Sequence, residues 1–253
     1  MEVHHHSSPA PGGSHTPRKK WTHYFWEFLM LFLAVFCGFL AEYQLEHIIE
    51  NKREKQYIVS LVRDVEMDIE SLKQSFAARK KYINYYDSLV LLLKLSNKNS
   101  MNDIYYYARF LLRMTQFNYH DRTIEQMKNS GSLRLIKSKE AADSITIYDN
   151  EIIDRMLYQQ EIELKFRNDI LANHIGKIFN GHVWNEMVNE GSSISRPADF
   201  PDFITENKAL INDFIVQVVT LKTAYRVTNS IIEKTIETAE NLIVYLKKEY
   251  HLK

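Results

Sequence analysis

The chain has 253 residues with 32 basic and 32 acidic side chains, and so carries no net formal charge. Without a strongly basic field, nucleic acid is excluded as the main partner. One cysteine excludes a disulfide framework, and seven Gly with five Pro point to an all-α fold.

Residues 1–20 are rich in Pro, Gly, Ser and His and show no apolar period, which predicts a disordered tail. The three consecutive histidines His4, His5 and His6 would hold a metal only weakly in such a tail. Residues 21–45 come next and organise the rest. Phe28 to Ala41 reads FLMLFLAVFCGFLA, without a charge or strongly polar group. Trp21, Tyr24, Phe25 and Trp26 crowd its entry, as aromatics do at a membrane interface. Nine of the fourteen residues are Leu, Phe or Val. At roughly 0.3–0.6 kcal/mol each they contribute about 3–5 kcal/mol, against about 2.5–3.5 for one ionised residue at mid-membrane. Glu27 lies off-centre, so the balance favours a transmembrane helix. No small-residue cleavage pattern follows it, which favours an anchor over a signal peptide. Arg18, Lys19 and Lys20 precede the span directly, so the N-terminus is expected in the cytoplasm and the bulk in the periplasm.

Within the span, Ala34 and Gly38 are four apart, as are Cys37 and Ala41. Small residues at this spacing let another helix approach closely. Glu27 lies two turns before Ala34 on roughly the same side. These five residues form a candidate association surface.

Residues 46–253 are expected to form a helical extracytoplasmic domain. Ile58, Leu61, Val65, Ile69, Leu72 and Phe76 recur at spacings of three and four, with Asp64, Asp68 and other charges read as the solvated face. No Gly or Pro separates this helix from the span, so one rod is expected, ending near Ser96–Asn99. Ser100 followed by Asp103 resembles a cap for a second helix, from about Met101 to Gln116. Asp121 is expected to cap a short helix over Thr123–Asn129, which Ser130 and Gly131 end in a left-handed turn. Ser138 then caps a long helix reaching about Val188. Residues 189–202 read as a loop. A last helix spans about Thr205–Tyr250, with Phe214, Val218, Leu221, Tyr225, Ile232, Ala239, Leu242 and Leu246 close to a heptad register. The whole predicts an elongated antiparallel helical bundle continuing from a transmembrane helix.

Catalytic signatures are sparse. No phosphate-binding Gly loop, H-E-x-x-H, C-x-x-C or G-x-S-x-G is present. His182 and Glu186, with His174 two turns earlier, have a spacing that would let a helix face offer metal ligands, but solvated faces produce it often by chance. His120-Asp121 reads as turn and cap chemistry. Tyr85, Tyr86, Tyr105, Tyr106 and Tyr107 read as amphipathic core rather than a pocket lining. No cofactor and no catalytic residue is expected.

The opening MEVHHH, the stretch Glu27–Glu42 and the charged helix from Glu46 resemble a group of uncharacterised single-span membrane proteins of Gram-negative bacteria. Thr123-Ile124-Glu125-Gln126-Met127-Lys128-Asn129-Ser130-Gly131-Ser132-Leu133-Arg134-Leu135-Ile136 is similar to a second signature of such domain-of-unknown-function families. The resemblance implies native histidines, an inner-membrane anchor and a helical extracytoplasmic domain, and it implies no catalytic residues. The leading expectation is a non-enzymatic scaffold or interaction protein, embedded in the lipid bilayer and paired with itself or another membrane protein. The alternative is a periplasmic sensory ligand-binding module that relays through a partner.

Overall fold

The computed structural model describes residues 21–95, 98–188, 193–199 and 201–252. The expectations for the 1–20 tail and its histidines, for Ser96-Asn97 and for residues 189–192 lie outside the described residues. The protein is all-α. Helix α1 is Trp21–Leu95, and the chain divides within it into two units, residues 1–52 and 53–253.

In the first unit every residue from Phe28 to Ala41 except Leu29 is exposed, with Leu31 68 %, Phe39 67 % and Phe28 64 % accessible. Among the described residues, α1 is the helix long and apolar enough to cross a membrane.

The second unit is a four-segment bundle. The first segment is the remainder of α1. The second returns along it: α2 (Met101–Arg109), a 3₁₀ turn over Phe110–Leu112, non-helical residues 113–121, α3 (Arg122–Asn129) and a 3₁₀ turn over Ser132–Leu135. Contacts from Asp64 to Thr123, Asp68 to His120 and Arg79 to Thr115 run in opposite senses along the two segments, so they are antiparallel. The third is helical from 139 to 178, as α4 (Lys139–Asn150), α5 (Tyr158–Ile170) and α6 (Gly176–Ile178) joined by π-helical Glu151–Leu157 and Leu171–Ile175. Helix α7 (Gly181–Glu186) follows. The fourth is α8 (Lys208–Glu249), antiparallel to α1 through Lys247–Glu66, Lys73–Glu240 and Lys222–Asp87.

The buried positions explain why the segments pack. On α8, Phe214, Val218, Leu221, Tyr225, Thr228, Ile232, Thr235, Ala239, Leu242 and Leu246 alternate steps of four and three, with Ala224 and Asn229 buried beside them. That period keeps one seam facing the core over the helix's full length. On α1 the same register runs through 54, 58, 61, 65, 68, 72, 75 and 79, then 86, 89 and 93. Four of these α1 seam positions are polar: Glu54, Asp68, Ser75 and Arg79.

Several boundaries differ from the sequence expectation. The second helix stops at Arg109 rather than Gln116, because side chains on other segments take the backbone groups of residues 113–121. Gln160 brackets Phe117, accepting from its N–H at 2.6 Å and donating to its carbonyl at 3.3 Å. Neither Ser100 nor Asp121 makes a side-chain cap bond. The long third helix ends at Ile178, not Val188, because Phe179 turns extended and Asn180 caps α7 by accepting from His182 N. Ser138 and Asn207 do cap α4 and α8. The last helix starts at Lys208 and ends at Glu249.

Candidate functional site

The apolar interior of the second unit forms two clusters. One is built around Ile58, Leu72, Tyr148, Ile232 and Leu242, the other around Tyr86, Tyr105, Phe179, Phe214 and Leu221. Between their α1 members lie Ser75 and Arg79, and between their α8 members lies Thr228. The Arg79 side chain is fully buried, and Glu163 of α5 meets it with Nη2–Oε2 at 3.0 Å and Nε–Oε1 at 3.3 Å. Arg79 also donates to the Thr115 carbonyl at 2.9 Å and to the Ser75 hydroxyl. Thr228 donates to Glu163, and the Tyr225 ring lies 5.6 Å from the guanidinium carbon. All four segments therefore contribute to one polar layer. A buried ion pair survives desolvation only with such additional hydrogen bonds.

Below it, two aspartates of α1 fasten the non-helical return. Asp68 is fully buried, and its Oδ1 lies 2.9 Å from His120 N and 2.8 Å from His120 Nδ1. Its Oδ2 accepts from the Tyr148 hydroxyl at 2.7 Å. Burial pushes the Asp68 carboxyl above the usual carboxylate range, and these hydrogen bonds offset only part of that. Burial likewise pushes the hydroxyls of Tyr119 and Tyr148 up, reinforced by the neighbouring Asp149 and Asp68 carboxylates. Asp64 Oδ2 accepts from Thr123 N at 3.1 Å and from the Thr123 hydroxyl, while Oδ1 meets Arg122 at 3.1 Å. Asp64 thus supplies from another segment the cap expected of Asp121. Glu54 completes the series, accepting from Lys137 N and the Tyr250 hydroxyl, each at 2.7 Å.

Sequence reading put Asp64 and Asp68 on a solvated face, and the structure corrects it: both are buried. The signal was present for Asp68, which keeps the strict four-three register from Ile58, Leu61 and Val65. His120 pairs with Asp68 rather than Asp121. The structure separates the face of His174, His182 and Glu186. His174 is buried with Nε2 2.8 Å from Asp213 Oδ2, while His182 and Glu186 lie exposed on α7. Among the described residues no group of three His, Cys, Asp or Glu is placed to hold a metal. Tyr86 and Tyr105 are fully buried; Tyr85, Tyr106 and Tyr107 are half-buried, Tyr85 and Tyr106 against Phe110 and Tyr107 against those two tyrosines.

In the first unit, Glu27, Ala34, Cys37, Gly38 and Ala41 are all exposed on the helix. His23 Nε2 lies 3.3 Å from Glu27 Oε1, one turn away. A Cβ added at Gly38 would meet nothing within 4 Å. Ser130 ends α3 with its hydroxyl on the Gln126 carbonyl, and Gly131 follows in the left-handed region at φ 66°. No family model, curated protein or solved structure matches the chain.

Proposed function

We propose that the protein is a single-pass inner-membrane scaffold. Its helical domain lies in the periplasm, and it acts through self-association or contact with another membrane protein, without catalysis of its own. The observation that carries this reading is the apolar surface from Phe28 to Ala41, where every residue but Leu29 is exposed on the helix. Exposed apolar area of that extent marks a surface for lipid or partner.

The second unit supports the same reading. Buried ionisable groups in it are spent on holding segments together. Arg79, Glu163, Asp64 and Asp68 each bond to another segment of the same chain. The Arg18-Lys19-Lys20 cluster before the span supports an N-terminus in the cytoplasm.

Membrane fractionation with C-terminal reporter fusions tests both parts. A membrane-bound protein with a reporter active only in the periplasm is the expected result. Release from membranes by alkaline carbonate would refute the anchor, and a reporter active only in the cytoplasm would refute the orientation.

A further inference from the structure

The segment Thr123–Ile136 stands out in the sequence, and the scaffold reading leaves its exposed face without a role. That face lines an open cleft of about 810 Å³ between α1 and α3. From α1 come Arg53, Gln56 and Ser60; from α3 and the turn after it come Arg122, Gln126 and Ser132. Among the described residues no acidic side chain lines it. The size falls in the range of small-molecule sites.

The charges in the cleft are unequal in their freedom. Arg122 is 74 % exposed, yet one of its nitrogens is held 3.1 Å from the buried Asp64 carboxylate. This contact fixes the guanidinium at the cleft edge and compensates one positive charge. Among the described residues Arg53 has no acidic partner, so one positive charge stays uncompensated. Gln56, Gln126 and Ser60 make no side-chain hydrogen bond to another described residue and retain donors for a ligand.

We infer that this cleft binds a phosphate group carried by a small molecule or a lipid headgroup, with Arg53 and Arg122 as its charged contacts. Guanidinium donors pair with phosphate oxygens through short, charge-assisted bonds, and a single net positive charge matches a phosphate monoanion or diester. The inference is independent of the scaffold reading.

The test uses the full chain in lipid nanodiscs. One arm follows glycerol phosphate by phosphorus NMR with neutral phosphatidylcholine discs. The other compares discs containing phosphatidylglycerol with phosphatidylcholine discs, reading Trp and Tyr fluorescence and protection of the Arg53 region from hydrogen exchange. Binding in the first arm identifies a soluble phosphate, and a response in the second arm alone identifies a headgroup. Arg53→Gln and Gln126→Leu alter exposed side chains of the cleft and introduce no new charge beside the Arg122–Asp64 contact. Each is expected to weaken the response at least about tenfold, the scale of one lost charge-assisted hydrogen bond, with unchanged circular dichroism. Absence of any response in both arms, or parental binding by both variants, would overturn the inference.

Discussion

Arg79 and Glu163 are 84 positions apart in sequence and meet at 3.0 Å inside the bundle, at the level where one apolar cluster gives way to the other. The pair fixes α1 against α5, and its remaining donors and acceptors fix Thr115 and Thr228. A seam interrupted this way has one register in which the charges are satisfied, and sliding α1 by a heptad would bury both unpaired.

Removing one partner should therefore cost far more than removing both. Arg79→Met is expected to destabilise the second unit by about 3–5 kcal/mol, because Glu163 is left buried without its cation. Arg79→Met combined with Glu163→Leu should recover a large part of that loss. Chemical denaturation of the four members of this cycle checks it, and additive losses would mean that the pair is not coupled.

Asp68 gives a pH signature. Its carboxyl is raised above the ordinary value of 3.8, chiefly by burial, among His120, Tyr148, Tyr119 and Asp149. The folded state holds this proton after the unfolded state has released it. Over the interval that opens at 3.8 the folded chain binds more protons, so this group lowers stability as pH rises. Asp68→Asn should remove that contribution. The difference in melting temperature, variant minus parent, should climb as pH rises from about 3.8, and a flat difference would show that Asp68 titrates alike in both states.

The helical class, the long apolar helix near the N-terminus and the order of long helices were legible because apolar period and the scarcity of Gly and Pro are local signals. The layer at Arg79 was not. Thr228 and Thr235 sit fully buried in the α8 seam, yet as threonines they drop out of any list of apolar positions. Asp68 reads as a solvated charge until the register is extended through it. The break after Arg109 was hidden for a different reason. Residues 113–121 stay unwound because Gln160, Arg79 and Asp68 bind their backbone, and those partners lie on distant parts of the chain.

Gly131 offers a backbone test. Its φ of 66° is costly for a β-branched residue, while a Cβ there would meet nothing within 4 Å. The cost of Gly131→Val is therefore conformational, about 1 kcal/mol or more. Gly131→Asn should cost less, since Asn tolerates this region. Equal melting temperatures for parent and the Val variant would show that the turn shifts to another conformation without loss.

The apolar helix carries the last prediction. Ala34 with Gly38, and Cys37 with Ala41, place small side chains on one strip of an otherwise bulky helix. Gly38 leaves open space where a Cβ would stand. Close approach of a second helix at such a strip gains packing that lipid chains do not supply. Glu27 lies two turns earlier beside His23, whose ring nitrogen is 3.3 Å from the carboxylate. A partner donor, or a second Glu27 sharing a proton, would lower the cost of a carboxylate near the apolar region. Gly38→Leu should weaken association by separating the backbones, and Glu27→Leu should weaken it while making insertion easier. Crosslinking in native membranes, with the inserted fraction measured in parallel, reads both effects. Should both variants associate like the parent, the apolar helix would serve at most as an anchor, and any partner contacts would lie on the bundle.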